Sequence, residues 1–580
     1  MDIQDLELII PISRGSTEIF RTGLWSPHKP RYVEKNSPCR QACPVGIDIA
    51  RAFVQASKGE LDQALRIVRQ DNPLPGICGR VCYHPCELNC NRKGFDEAVN
   101  IRGFERFLSD HGQVDLKGEA PSRLRKERIA VIGSGPAGLS AAYQLARRGY
   151  RVTVFESLPE PGGMLRYGIP EYRLPKKILR KEIGFIQQLG VEIKTGTQVG
   201  RDPSLEEINN TFQAVFIAAG AQGGRKLGIE GEALPGVWEG IRFLRRINLG
   251  EKVKIGRRVA IIGGGNTAID CARSARRMGG KNITILYRRS WAEMTALLED
   301  RSVAEKEGIR IKNLSAPKRL ISEKGRLIGI ECLRMELGAA DEGGRPKPFP
   351  IQGSEFIVPV DTVITAVGQI PETEFVKELG LVVNNRGQID RSPESPATNT
   401  PGVFAGGDCA GGRAFVADAI AGGKLGALAI LCYLEGKDLK PEFRNHQIGM
   451  GASFSFQHFR DPENGLVDLK KVATFDKLNT LCIPYRTRRN NRSPLRSEEG
   501  RNSFGEVTKG LAKAEMGIEI SRCFKCGTCT QCDLCFLICP DLSILKAGKD
   551  GYSLKADTCK GCGMCVTTCP RQVIDLVEER

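Results

Sequence analysis

The chain has 580 residues, 41% of them apolar, which is room for three or four domains with sizeable cores. Its formal charge of +17 comes with no helix-turn-helix, zinc-finger or aromatic RNA-binding motif, which disfavours nucleic acid, and a basic surface serves equally well to steer an acidic protein such as a ferredoxin. Membrane insertion is disfavoured too, since no run approaches the roughly 18 apolar residues of a span and Ala427 to Tyr433 is the longest candidate; the acidic start M-D-I-Q-D-L-E lacks the basic flank of a signal peptide, and a cytoplasmic location is expected.

The 21 cysteines are clustered: six lie between Cys39 and Cys90, ten between Cys523 and Cys569, and five elsewhere. Spacings of two and three residues in a long chain without an export signal point to metal-bound thiolates in a reducing compartment rather than a disulfide framework.

Residues 1–36 read as irregular, broken by Pro11, Pro27 and Pro30. From Ile47 to Gln70 apolar residues recur at helical spacing (Ile49, Phe53, Leu61, Leu65, Val68), and Lys58-Gly59 divides the stretch into two helices. These helices separate Cys39-x3-Cys43-Pro44 from Cys78-x3-Cys82-x3-Cys86-x3-Cys90. Thiolates four residues apart converge on one side of a turn and suit a soft metal, so iron–sulfur is preferred over a zinc knuckle or buried apolar cysteines.

The runs C-R-Q-A-C-P-V-G-I-D-I, N-P-L-P-G-I-C-G-R-V-C-Y-H-P-C-E-L-N-C and V-N-I-R-G-F-E resemble the N-terminal iron–sulfur domain of the glutamate synthase small subunit and of dihydropyrimidine dehydrogenase. The resemblance implies a [4Fe–4S] cluster held by Cys43, Cys82, Cys86 and Glu105. It also implies a second cluster on Cys39 and Cys90 plus an upstream C-x-x-C pair. No cysteine precedes Cys39, so that cluster is either missing or completed by another polypeptide, giving one or two N-terminal clusters.

Arg128 to Glu156 reads as a buried strand, a glycine turn, an Ala-rich helix and a second strand ending in an acid. This is the dinucleotide fingerprint Gly133-x-Gly135-Pro136-Ala137-Gly138 with Glu156 placed for ribose hydroxyls. Its glycines let backbone approach a pyrophosphate at the helix N-terminus, where the helix dipole favours an anion. Next come Gly162, Gly163 and Met164, where backbone can pass close to a flat ligand; in the resembling family this segment lies along the flavin. A-V-F-I-A-A-G-A at 214–221 reads as a strand returning to the same sheet.

A second fingerprint begins at Arg258, with Gly263, Gly265, Asn266, Thr267 and Ala268 in its turn. Two such units imply two dinucleotides. The second unit carries Tyr287, Arg288 and Arg289 where the first carries Glu156. Arginines suit a 2′-phosphate and a carboxylate suits a free ribose, so the first unit is assigned FAD and the second NADP(H), with NAD(H) as the alternative. Residues 309–360 read as strands around polar turns, and from Thr362 the chain is expected to return to the flavin unit. There the resemblance implies that the Gly406-Gly407-Asp408 turn brings Asp408 to the ribityl-phosphate part of FAD. The helix starting near Ala414 would aim its positive end at the flavin. Neither unit carries the C-x4-C or C-x-x-C of a dithiol reductase.

Residues 436–520 read as a connector, with the basic run 486–496 taken as a solvated linker or a docking site for an acidic partner. Then Cys529-x2-Cys532-x2-Cys535-x3-Cys539-Pro540 is echoed by Cys559-x2-Cys562-x2-Cys565-x3-Cys569-Pro570. In this two-cluster ferredoxin pattern the fourth cysteine of each run ligates the other cluster. One [4Fe–4S] cluster is therefore expected on Cys529, Cys532, Cys535 and Cys569, the other on Cys559, Cys562, Cys565 and Cys539. Cys523 and Cys526 are left as spare or redox-active. The run D-T-C-K-G-C-G-M-C-V-T-T-C-P is similar to the ferredoxin-like subunit of 2-oxoacid:ferredoxin oxidoreductases.

The expected architecture is multidomain: an α-helical iron–sulfur domain (1–126), an α/β flavoprotein core of two dinucleotide-binding domains (FAD, 127–250 and 362–435; NAD(P), 251–361), a connector (436–520) and a small α+β ferredoxin-like domain (521–580). The function read from it is electron transfer between NAD(P)H, FAD and [4Fe–4S] clusters, to or from ferredoxin or 2-oxoacid oxidoreductase subunits in a hetero-oligomer. Hydride transfer obliges no acid–base residue, so none is assigned as catalytic. The alternatives are a glutamate synthase small subunit serving an amidotransferase, and a non-enzymatic electron wire or scaffold. Dihydropyrimidine dehydrogenase itself is disfavoured, because no barrel domain separates the flavin core from the tail.

Overall fold

Two parallel five-stranded sheets carry the middle of the molecule. In the first, Val403–Ala405, Ala214–Ile217, Arg128–Ile132, Arg151–Phe155 and Glu192–Lys194 lie side by side in that order. In the second the order is Arg310–Lys312, Asn282–Leu286, Arg258–Ile262, Thr362–Thr365 and Val237–Glu239. The central strand of each is the first strand of a fingerprint, and all but its leading arginine is buried, as a parallel strand covered on both faces demands. The computed structural model describes residues 21–114, 124–340, 344–392, 394–456, 467–480, 483–489, 503–548 and 551–578.

The return to the flavin unit comes later than Thr362. Thr362–Thr365 pairs with Arg258–Ile262 in the second sheet, and Val403–Ala405 is the strand that rejoins the first. Val237–Glu239, on the other side of the expected boundary, also belongs to the second sheet. The two crossings between the sheets pair with each other as an antiparallel ribbon, Gly223–Gly224 with Gln369–Ile370. An apolar strand carries no label of the sheet it joins; only its partners decide.

Helix Val416–Glu435 packs on the first fingerprint helix, Pro136–Ala146, at backbone distance. Ser140 Oγ donates to the Ile420 carbonyl at 2.9 Å, and a Cβ on Gly423 would lie 2.0 Å from the Ala137 carbonyl oxygen. With a mean hydropathy of 1.5 over its most apolar stretch, it is long and apolar enough to cross a bilayer, yet most of that stretch is buried inside the protein. Asp418 and Lys424 hide its length from a search for uninterrupted apolar runs.

The N-terminal domain is a set of short helices, with the expected pair resolved as Ile49–Ser57 and Leu61–Asp71. Asp48 caps the first of these by accepting from Arg51 N (3.1 Å), and Asn100 caps Ile101–His111 by accepting from Gly103 N (2.8 Å). Phe53 and Phe104 stack between them with centroids 3.8 Å apart.

The stretch read as irregular contains two strands. His28–Tyr32 pairs antiparallel with Ile574–Glu578 of the tail, and Glu34–Asn36 pairs with Val467–Val472 of the connector. Pro30 concealed the first of these, since proline is tolerated in a strand at a sheet edge. The connector also holds helices Leu439–His446 and Lys513–Arg522. In the described part of the basic run, Arg486 N donates to Asp96 (3.1 Å), and Arg488 meets Glu97 through its backbone N and Glu87 through its guanidinium, each at 2.6 Å. These arginines therefore dock on acids of the same chain; residues 490–496 lie outside the described residues. The tail repeats itself around short helices Leu534–Ile538 and Met564–Thr568 and a strand pair, Ile544–Lys546 with Tyr552–Leu554.

Candidate redox centre

Both fingerprints open on one cleft of about 950 Å³ between the two sheets. Gly133, Gly135, Pro136, Ala137, Glu156, Gly163, Met164, Gly407 and Asp408 line it from the first unit, and Gly263, Gly265, Asn266, Thr267, Arg288 and Arg289 from the second. Gly138 and Ala268 do not. A Cβ on Gly138 would meet the Gly133 carbonyl oxygen at 1.9 Å, and Ala268 is fully buried, so these positions seat helix on strand beneath the cleft.

The first unit's side has the chemistry of a dinucleotide cradle. A Cβ on Gly135 would meet nothing within 4 Å, which leaves its backbone bare to the cleft. Gly163 (φ +50°) and Gly407 (φ +73°) close on the same loop, their added Cβ atoms 2.9 Å from Gly135 Cα and 3.0 Å from Ala137 Cβ. Glu156 is buried and accepts from Ser134 through its backbone N (3.1 Å) and its hydroxyl, and from Leu158 N (2.9 Å). Asp408 Oδ1 is buried with no hydrogen-bond partner among the described residues. Burial, helped by the nearby Asp418 carboxylate, pushes Asp408 up to about 6. A buried acceptor facing a cleft without a donor suits a hydroxyl-bearing ligand.

On the second unit's side Arg288 is exposed, whereas Arg289 is buried and donates from Nε to the Pro346 carbonyl (2.8 Å). Arg345 also lines the cleft and donates from Nη2 to Tyr287 Oη at 2.8 Å. Sequence reasoning missed Arg345, because it lies in the hairpin between Arg326–Ala340 and Pro346–Pro350, remote from any fingerprint.

A second, apolar cavity lies in the N-terminal domain. Cys43, Cys82, Cys86 and Glu105 line it together, with Cys78 as a further thiol that the sequence reading left unassigned. Burial pushes Glu105 up to about 8 despite a hydrogen bond from Asn72 Nδ2 at 2.5 Å. Ala417 walls the same cavity, while its helix neighbours Phe415, Val416 and Ala419 wall the dinucleotide cleft. Tyr83 of the N-terminal domain packs against Phe415 with ring centroids 4.4 Å apart.

In the tail, burial is the main reason that Cys529, Cys535, Cys559 and Cys565 lie above the ordinary thiol range, and neighbouring thiols add to it in two groups. Cys535 and Cys569 oppose the ionisation of Cys529, and Cys569 and Cys532 that of Cys535. Cys539 and Cys562 act on Cys559, and Cys559, Cys539 and Cys562 on Cys565. Tyr32, on the N-terminal strand, donates to Cys535 Sγ at 3.4 Å. Cys39 and Cys90 sit apart from the N-terminal cavity's lining. Burial raises Cys39 first, and Cys90, Cys526 and Cys523 raise it further. Among the described residues no three His, Cys, Asp or Glu side chains are placed to hold a single metal ion. The thiolates of a four-iron cubane bind separate irons and stand farther apart.

Residues 127–423 match the model of the pyridine nucleotide-disulphide oxidoreductases, and residues 32–115 match that of dihydropyrimidine dehydrogenase domain II, 4Fe-4S cluster. The chain belongs to the pyridine nucleotide-disulphide oxidoreductase family. It is 33% identical to the glutamate synthase [NADPH] small chain of Escherichia coli over 69% of this chain and 89% of that one. Identity is 42% to the NADP(+)-dependent formate dehydrogenase subunit beta of Moorella thermoacetica, over 70% of this chain and 61% of the relative. It is 40% to the NADPH-Fe(3+) oxidoreductase subunit beta of Geobacter sulfurreducens, over 71% and 66%. The chain thus spans less than two thirds of the length of these last two relatives. Within the family it combines the NAD(P)/FAD core with an N-terminal 4Fe-4S domain, and its cysteine-rich tail fits a ferredoxin-like region.

Proposed function

We propose that this chain is an NADPH-linked iron–sulfur flavoprotein subunit that moves electrons between the nucleotide cleft and the ferredoxin-like tail. One observation carries the reading: a single helical turn, Phe415 to Ala419, walls both the dinucleotide cleft and the cavity of Cys43, Cys82 and Cys86. FAD bound in that cleft would supply the exchange between two-electron hydride chemistry and one-electron transfer, and the clusters would carry single electrons.

The protein's own part is positional. The glycine loops at 133–138 and 263–265 seat the two pyrophosphates, Glu156 and Asp408 accept hydroxyls, and Arg288 and Arg289 take the 2′-phosphate that separates NADPH from NADH. Cys43, Cys82, Cys86 and Glu105 hold the cluster nearest the cleft. In the tail, the two groups of mutually interacting thiols support ligation of one cluster by Cys529, Cys532, Cys535 and Cys569, and of the other by Cys559, Cys562, Cys565 and Cys539.

A redox partner docks on the tail, where Cys532 and Cys562 are exposed beside Leu537, Leu542 and Met564. Names of relatives that include "subunit beta" favour a hetero-oligomer with a further subunit. Electrons can run in either direction through such a path, because cluster potentials span a wide range.

The test is anaerobic purification followed by reduction with NADPH and NADH separately. NADPH is expected to bleach the flavin band and then elicit reduced-cluster signals in electron paramagnetic resonance. A colourless protein, or one that neither nucleotide reduces, ends this reading.

A further inference from the structure

Four cysteines that belong to neither the N-terminal cavity nor the two tail groups meet at one place. Cys39 and Cys90 come from the N-terminal domain, and Cys523 and Cys526 from the segment leading into the tail. Three contacts fix the junction. Asn91, next to Cys90, donates from Nδ2 to Cys526 Sγ at 3.4 Å. Arg92 donates from Nη1 to the carbonyl of Arg522, the residue before Cys523, at 2.8 Å. Lys35 donates its backbone N–H to the carbonyl of Gly527, the residue after Cys526, at 2.8 Å, and the strand that holds Lys35 leads directly into the helix bearing Cys39.

The approach is tight and built. Gly527 has φ +74°, and a Cβ there would lie 2.2 Å from the Lys35 carbonyl oxygen. Arg522 is fully buried and reaches across to Asp96 (3.1 Å) and the Glu97 carbonyl (2.6 Å). Burying a guanidinium is costly unless every contact is made, so this frame holds the two segments in one arrangement. Cys523 Sγ accepts the Lys525 N–H at 3.4 Å, the kind of hydrogen bond to sulfur that tunes a cluster.

We propose that Cys39, Cys90, Cys523 and Cys526 ligate a further [4Fe–4S] cluster. The C-x2-C pair it needs is supplied by the same chain from its carboxyl-terminal side, each thiol giving up its proton as its sulfur binds iron. The inference rests on the reading of the chain as an iron–sulfur carrier. It also gives that reading a continuous path. Cys43 of the first cavity donates its backbone N–H to the Cys39 carbonyl at 3.2 Å, and Glu34, beside Lys35, accepts the backbone N–H of Cys529 at 2.9 Å. The site therefore stands between the cluster next to the cleft and the clusters of the tail.

The test is an iron and acid-labile sulfide count on anaerobically purified full-length protein and on its C523S/C526S variant. The expected result is roughly 16 iron atoms per chain, falling to about 12 in the variant with flavin content retained. A count near 12 that the double substitution leaves unchanged overturns the fourth site alone, whereas fewer than about 8 with flavin intact would sink the wider cluster reading along with it. Alkylation of the wild-type holoprotein with iodoacetamide, read by peptide mass spectrometry, covers the case in which the variant does not fold. All four cysteines should resist labelling until the iron is stripped and then label together. Cys523 and Cys526 labelled, or joined in a disulfide, in the iron-loaded protein would overturn the proposal.

Discussion

Lys424 Nζ lies 2.7 Å from Asp71 Oδ1, and both side chains are 1% exposed. Lys424 projects from the long helix at the flavin cleft, and Asp71 ends a helix of the iron–sulfur domain. The ammonium also donates to the carbonyls of Val45 (2.6 Å) and Phe454 (2.9 Å), and Asp71 accepts from Ser455 Oγ (2.9 Å) and Phe456 N (2.8 Å). One buried pair thus ties four stretches of chain together, one of them at Val45, two residues from Cys43.

Removing one partner strands the other charge in the core. Lys424→Met should cost roughly 3–5 kcal/mol, read as a lowered midpoint in thermal denaturation of the holoprotein. K424M/D71N should recover part of that loss, because no charge is then left unpaired. An unchanged midpoint for Lys424→Met would contradict the assignment of this pair as a structural tie.

The second and third glycines of the first fingerprint should fail differently. At Gly135 an added Cβ meets no protein atom, so Gly135→Val should fold and yet bind FAD at least tenfold more weakly, as titration of the apoprotein would measure. At Gly138 the Cβ would press on the Gly133 carbonyl oxygen, so Gly138→Val should lower expression and stability as well as flavin content.

Nucleotide choice should follow the arginines. R288A/R289A is expected to reduce kcat/KM for NADPH by about 10- to 100-fold, the worth of a charge-assisted hydrogen bond or two, while NADH changes little. Equal losses for both nucleotides would place these arginines outside the 2′-phosphate site.

Flavin binding should weaken in acid. Burial raises Asp408 to about 6, so the folded apoprotein takes up this proton more readily than the unfolded chain does. Its contribution to apoprotein stability is accordingly present at low pH and lost as pH climbs from the ordinary carboxylate range to about 6. A ligand hydroxyl donating to the carboxylate reverses that preference. FAD affinity should then fall by up to about tenfold per pH unit below 6, and Asp408→Asn should remove this dependence.

The chemistry of this protein was legible in its sequence wherever one short stretch supplies a whole unit. A fingerprint needs consecutive residues to turn a strand into a helix under a pyrophosphate, and a ferredoxin-like region needs thiols separated by two residues, so spacing alone points to a fingerprint at Gly133 to Glu156 and a ferredoxin-like region at Cys529 to Cys569. What the sequence could not assign was whatever two distant stretches build between them. His28–Tyr32 becomes a strand only against Ile574–Glu578, Arg345 reaches the cleft only through its hairpin, and Thr362–Thr365 takes its sheet from Arg258–Ile262. Cys523 and Cys526 looked surplus for the same reason: their neighbours, Cys39 and Cys90, are close in space but more than four hundred residues away along the chain. Local spacing determines which atoms a segment can offer, whereas the packing of separate segments decides which of those offers meet.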